Sequence, residues 1–476
     1  MPAASASGTA PSSERSDLAV DLARFAAGLQ AAQLDARVVA AVKTNILDTL
    51  ACALAGSSAA AIGEVASLVQ EWGGAPQAGL LAFGGRYPAH HAAWANAAMA
   101  HARDFDDTHD AAILHAGITA VPAALAAAQL RGGLPGDELV ASVAAGLEVT
   151  CRLGTAIRMD VMRSGFIYTA LLGYFGATAA AGRALGLPQA QLRDALGIVY
   201  SAVAGNLQVT REASLMKRVL PGMAAQAALV AVQMARKGIH GVQGVFEGDY
   251  GFFPLYLRGE AHADAAREDL GRRFELLNLS YKPYASCRNT HSAVDAVLQL
   301  RAQAGDGAEV EAVHVGVNQS GYQMVCVPEA VRASPRTVVD AQFSIPYCVA
   351  AAWIDGGLRL GHFGPEALQR DEVRALAARV RPHVDEAIER GWGRSITPAH
   401  VVLVLRDGRR LEARVDLPRG HPENPMSAAE FAAKAADCAS LAVRPLAADT
   451  ATRLAAAVEG LESLPDVSAL VRLLQP

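Results

Sequence analysis

From Asp17 to about Gly259, apolar residues recur at three- and four-residue spacing, the period of helices that bury a face. The stretches "LAVDLARFAAGLQ" and "ARVVAAVKTNILDTLACALAG" are predicted helices, and Gly56 can end the second. "GDELVASVAAGLEVTCRLG" is expected to use Asp137 as its N-cap. "PQAQLRDALGIVYSAVAG" places Pro188 in a favourable first turn, and "PGMAAQAALVAVQMARKG" closes on Lys237-Gly238, a cation followed by a glycine. The uncharged run "GFIYTALLGYFGATAAAG", Gly165 to Gly182, is barely membrane-length and rich in Gly and Ala, so it is assigned to a buried core helix. Helices this evenly apolar must pack on all sides, which predicts a large all-helical domain.

Near Leu276 the pattern changes. "EVEAVHVGVNQ" (Glu309 to Gln319) alternates with period two and is β-branched, which predicts a strand. "AHVVLVLRDGRRLEARVDL" sets Asp407-Gly408 between two alternating runs, the signature of a hairpin. Between them "DAQFSIPYCVAAAWIDGG" and "DEVRALAARV" are expected helices. After the Pro-rich "PRGHPENP" the tail is helical again, and Ser427 with Glu430 forms the S-x-x-E capping-box pattern. The predicted fold is mainly α: an all-helical domain over 17–277 and 419–476, interrupted by a smaller α/β domain over 278–418. Residues 1–16, small, polar and Pro-containing, are expected to be a disordered tail, since they have neither a basic region nor an apolar run of a signal peptide.

Composition narrows the function classes. The 476 residues carry a net charge of -5, which gives no electrostatic footprint for nucleic acid, and no basic amphipathic segment points to a membrane surface. Six scattered cysteines without CxxC spacing suit reduced thiols in a reducing compartment, neither a zinc site nor a disulfide framework. The expectation is a soluble, cytoplasmic protein.

Against this apolar background "HARDFDDTHDAAILHAG" (His101 to Gly117) gathers four aspartates, three histidines and an arginine. On a helix, His101, Asp104 and Thr108 share a face, with Asp106 and His109 pointing elsewhere. Three readings are open: a solvated helix end capped by Asp106 or Asp107, a cation site built on Asp and His, or acid–base work beside a small anion. The metal reading lacks a Gly-turned calcium loop and a closely spaced His pair. "REASLMKRVLPGMAAQA" puts Lys217 and Arg218 before a Gly-containing turn that opens an apolar helix, where backbone donors and the helix dipole favour a carboxylate. "YKPYASCRNTHSAVDA" adds Lys282, Arg288 and His291. Together these sets describe a pocket for an anion with several carboxylates. A Cys287/His291 nucleophile is the minor alternative. No GxSxG, P-loop or strand–helix GxGxxG is present, so no cofactor is expected.

In this order, "HARDFDDTHD…HAG…VPAALAAA", "KRVLPGMAAQAALVA", "KPYASCRNTH", "AQFSIPYCVAAAW" and "GHPENPMSAAEFAAK" resemble the MmgE/PrpD family, from about Asp17 to the C-terminus. That family includes 2-methylcitrate dehydratase, cis-aconitate decarboxylase and iminodisuccinate epimerase. The resemblance implies a helical domain with an α/β lid, an active site in the cleft between them, homodimers, and cofactor-free and metal-free chemistry on short polycarboxylates. It carries active-site positions onto Asp104, Thr108, His115, Lys217 and Lys282, and substrate contacts onto His109, Arg288 and His291. One departure stands out. Where many members have G-F-H-P-T, this chain has Gly165-Phe166-Ile167-Tyr168-Thr169, so an imidazole is lost and Tyr168 becomes the candidate replacement contact. The first expectation is a hydro-lyase on a citrate-like acid, with Asp104 or His115 moving protons and Lys217 and Lys282 stabilising a carbanion or enediolate. The second is an epimerase or decarboxylase in the same pocket, and the third a non-catalytic helical binding protein.

Overall fold

The computed structural model describes residues 16–476 apart from 306 and 393–397; the predicted tail, save Ser16, lies outside the described residues. Within them are 23 α-helices and a small mixed sheet, so the mainly α expectation holds. Two hydrophobic cores organise the chain.

The first core is built by the helices Ala89–His101, Gly117–Arg131, Gly136–Ala156, Tyr168–Ala184 and Met216–Arg236, which pack directly on one another. Small residues permit this closeness: a Cβ on Gly222 would stand 2.4 Å from the Trp94 carbonyl oxygen, so the helices bearing these two residues meet nearly backbone to backbone. Leu454, Val458, Leu470 and Leu474 from the C-terminal segment join the same core, and the helix Ala428–Ser440 packs on Ala36–Gly56. The run from Gly165 forms the buried helix Tyr168–Ala184, as its pattern predicts. The helices Ala36–Gly56 and Gly136–Ala156 are long and apolar enough to cross a membrane, yet 67% and 94% of their most apolar stretches are buried inside the protein.

The second core lies under a four-stranded sheet in the order Val380–Val384, Val310–Val317, Ala399–Leu405, Arg410–Val415. The first pair is parallel and the other two are antiparallel. The helices His291–Ala304 and Ile345–Asp355 pack against it. The Asp407-Gly408 hairpin forms, with Gly408 at φ 87°, and the Ser427–Glu430 capping box closes both of its hydrogen bonds.

Three local expectations are corrected. The helix predicted to start at Asp137 has Pro135 at its N-cap, and the Asp137 carboxylate accepts instead from the Glu138 N–H. "DEVRALAARV" stops being helical at Ala377, and Val380 opens a strand. That strand contains Pro382, which is tolerated because the strand lies at the sheet edge. Lys217 does not precede a turn: the helix begins at Met216 and carries Pro221 and Gly222 inside it.

Candidate active site

The acidic stretch is not a helix. The helix Ala89–His101 ends at His101, and Asp104 adopts a left-handed backbone with φ 52°, a conformation aspartate tolerates better than most residues. Thr108 and His109 then pair antiparallel with Ser280 and Leu279. This two-residue ladder lays residues 104–110 along 279–288 and so carries Lys282 to Asp104 across 178 positions of sequence.

Lys282 Nζ donates to Asp104 Oδ1 at 2.5 Å and to the Asp104 carbonyl at 3.0 Å. Lys217 Nζ donates to Asp104 Oδ2 at 2.8 Å and to His101 Nε2 at 3.2 Å. Burial alone would raise the Asp104 carboxyl, but the two ammonium groups hold it well below the usual carboxylate range. The exchange is mutual at Lys282, where burial pulls the ammonium down and Asp104 and Asp106 raise it above an ordinary lysine.

Asp106, set aside by the helical reading, is the hub. Its carboxylate lies 3.1 Å from His101 Nδ1 and 2.9 Å from His115 Nδ1. Against the opposing effect of burial, the two imidazoles keep Asp106 well below the usual range. An ionised carboxylate only accepts, so both Nδ1 atoms carry the proton. His115 Nδ1 also donates to the Asp107 carbonyl at 2.6 Å. His101 Nε2 then accepts from Lys217, while His115 Nε2 is the imidazole nitrogen left for a ligand. Burial lowers His101 to about 4 despite Asp106, so its ring is neutral at neutral pH. Asp107 does act as a cap: its carboxylate accepts from Ala116 and Gly117 N–H groups at the start of the helix Gly117–Arg131.

These groups line one cavity between the cores, whose walls include Asp104, Thr108, His115, Tyr168, Lys217, Lys282 and Arg288. Thr108 Oγ1 is buried without a hydrogen-bond partner among the described residues, a donor that a ligand can satisfy. Tyr168 reaches the wall, but its hydroxyl donates to the Met159 carbonyl at 2.8 Å. Arg288 is committed to Asp110 at 3.2 Å and to the Arg419 carbonyl at 2.7 Å. His109 and His291 are not brought to the cavity. His109 bonds Glu275 and holds it down to about 2. His291 is buried on the Ser286 carbonyl and beside Arg288, and burial depresses it far below an ordinary histidine. Cys287 lines the wall, but burial raises its thiol, the opposite of nucleophile activation.

His101, Asp106 and His115 hold one donor atom each within 4.8 Å of the others, the spacing a cation needs. The Lys217 ammonium against His101 opposes a second positive charge there. Of the central residues, helical spacing picks out His101 but turns Asp106 away, and the pair of histidines flanking one aspartate is the signal that marks it.

The fold and cavity together define a mainly helical protein with a buried lysine, carboxylate and histidine site between two cores. Models of the MmgE/PrpD N-terminal domain and the MmgE/PrpD C-terminal domain match residues 20–264 and 284–460, and the chain belongs to the MmgE/PrpD family. It is 26% identical to a cis-aconitate decarboxylase-like protein of Aspergillus oryzae, over 97% of this chain and 98% of that protein. It is also 26% identical to cis-aconitate decarboxylases of Aspergillus terreus (98% and 97% covered) and Homo sapiens (94% and 92% covered).

Proposed function

We propose that this protein is a lyase acting on a citrate-like acid through a carbanion or enediolate beside a carboxylate, with no cofactor or metal. One observation carries the reading: two ammonium groups, the buried Lys282 and the largely covered Lys217, converge on Asp104 and line the same cavity as the His115 imidazole. Cations fixed where negative charge develops stabilise it without reorganisation. His115 transfers the proton at Nε2, and the Asp106 carboxylate behind Nδ1 supports the imidazolium. Thr108 and the lysine pair bind the substrate carboxylate, and Tyr168 and Arg288 shape the wall. Asp104 holds the lysines in place.

Two reactions fit this site. In decarboxylation a C–C bond breaks, its electron pair stays on the carbon, and protonation at that carbon completes the step. In dehydration a base removes the carbon-bound proton and hydroxide leaves. The relatives favour decarboxylation; His115, which can take the carbon-bound proton and pass it to the departing hydroxide, serves dehydration equally. Mass spectrometry of reaction mixtures with cis-aconitate and 2-methylcitrate separates loss of carbon dioxide from loss of water. Turnover of neither, nor of amino-dicarboxylates, contradicts the proposal.

We further propose a homodimer through the helical part. Met216, Met223 and Val230 recur every seven residues along one exposed stripe of the helix Met216–Arg236. Trp72 is also exposed and stacks on Trp94, which lies against Gly222 of the same helix. The six free, buried thiols suit a reducing compartment.

A further inference from the structure

The cavity wall is electrically balanced. Its three cations, the largely covered Lys217 and the buried Lys282 and Arg288, stand against Asp104, Asp106 and Asp110. The two ammonium groups keep N–H capacity for one bridging carboxylate, since Asp104 takes part of each. Arg288 spends its donors on Asp110, a carbonyl and His291. Phe343 lies against the Lys217 ammonium, 4.9 Å from nitrogen to ring centre, and the rest of the lining is largely apolar, with Ile113, Val161, Ile167, Leu207 and Met324 beside the uncharged Thr210 and Asn289. A carboxylate seated against the apolar side chains gives up its hydration for nothing in return.

The inner cavity is also small. Its volume of about 80 Å³ falls well below the roughly 300–1,000 Å³ of ordinary small-molecule sites. It shares Leu207, Thr210 and Met324 with an adjoining chamber of about 510 Å³. That outer chamber adds Met162 and Val327 and the amides of Asn206, Gln208 and Gln323. Its buried guanidinium, Arg332, donates to the Val327 and Asp340 carbonyls and faces the Asp340 carboxylate. Arg211 is exposed at the rim, where an ion pair is worth little.

We infer that the acid handled here carries an uncharged, largely apolar arm in place of one carboxylate, and that this arm lies in the outer chamber. The inference rests on the lyase reading for the carboxylate end only. The arm runs from the lysine-bound carbon past Ile167, Leu207 and Met324 and ends among the amides.

Calorimetric titration of the full chain tests this with three non-reacting probes: succinate, tricarballylate and 2-butylsuccinate. The butyl compound should bind at least about tenfold more tightly than either of the others, because its arm buries several methylene groups. Gln323→Trp and Gln208→Trp, which add bulk to the outer chamber from exposed positions on two different helices, should each cut that advantage below about threefold. Tightest binding of tricarballylate, abolished by Lys217→Ala, overturns the arm and leaves the lyase reading standing. An advantage that survives both tryptophan variants overturns it as well. Binding of all three probes that is indifferent to Lys217→Ala, or absent from the wild type, overturns the carboxylate site and the arm with it.

Discussion

His101 and His115 stand edge to face with ring centroids 4.9 Å apart, and both turn Nδ1 toward the Asp106 carboxylate. Asp106 is therefore a positioning residue that fixes two tautomers at once. Asp106→Asn places an amide where both rings need an acceptor and removes the counter-charge of an imidazolium. Turnover of the best substrate should fall by about two to four orders of magnitude, with KM nearly unchanged. A raised KM at unchanged kcat contradicts this role.

Lys434 reaches the site loop from the C-terminal helix Ala428–Ser440. It is buried, pairs with Asp48 at 2.6 Å, donates to the Phe105 carbonyl at 2.7 Å and lies 4.1 Å from the Phe105 ring centre. Lys434→Met leaves the Asp48 carboxylate buried and uncompensated. Denaturant unfolding should show a loss of about 3–5 kcal/mol; a loss below about 1 kcal/mol would place this pair with ordinary surface bridges.

Asp107 sets a pH signature on stability. Burial, with Asp106 adding to it, raises its carboxyl to about 6 from 3.8. The folded state thus holds this proton more tightly than the unfolded chain. Its contribution is present below about pH 4 and is lost as pH rises to about 6, amounting to roughly 3 kcal/mol. Asp107→Asn should therefore gain stability relative to wild type between pH 4 and 7. His101, lowered to about 4, works in the opposite direction over the same range and is common to both proteins. A stability difference that does not change with pH contradicts the assignment.

The apolar stripe of the Met216–Arg236 helix predicts the oligomeric state. Light scattering should report a dimer at micromolar concentration, and Met223→Asp combined with Val230→Asp should yield monomers. A monomeric wild type contradicts it.

Much of this was legible in the sequence. Helical periodicity finds the core helices, and alternation finds three of the four sheet strands; Pro382 hides the fourth because only an edge position accepts it. The resemblance marks Asp104, Thr108, His115, Lys217 and Lys282, and all five line the cavity. Helical spacing misplaces Asp106, because the helix stops at His101 and Asp104 turns left-handed. His109 and His291 sit in the right motifs but face Glu275 and Ser286. Which side of a two-residue ladder a side chain takes is settled by tertiary pairing, which periodicity does not record.

Lys217 offers the most direct test of the lyase account. Its side chain is 11% exposed and its nitrogen is shared between Asp104 and His101, so Lys217→Ala removes charge from the cavity with little loss of packing. The measurement is turnover of cis-aconitate, 2-methylcitrate and amino-dicarboxylates by wild type and Lys217→Ala, followed by mass spectrometry, with circular dichroism as the control for folding. The account predicts that wild type converts at least one acid and that the variant, equally folded, is about two to three orders of magnitude slower. Equal rates for the two proteins, or no conversion by wild type, would contradict it.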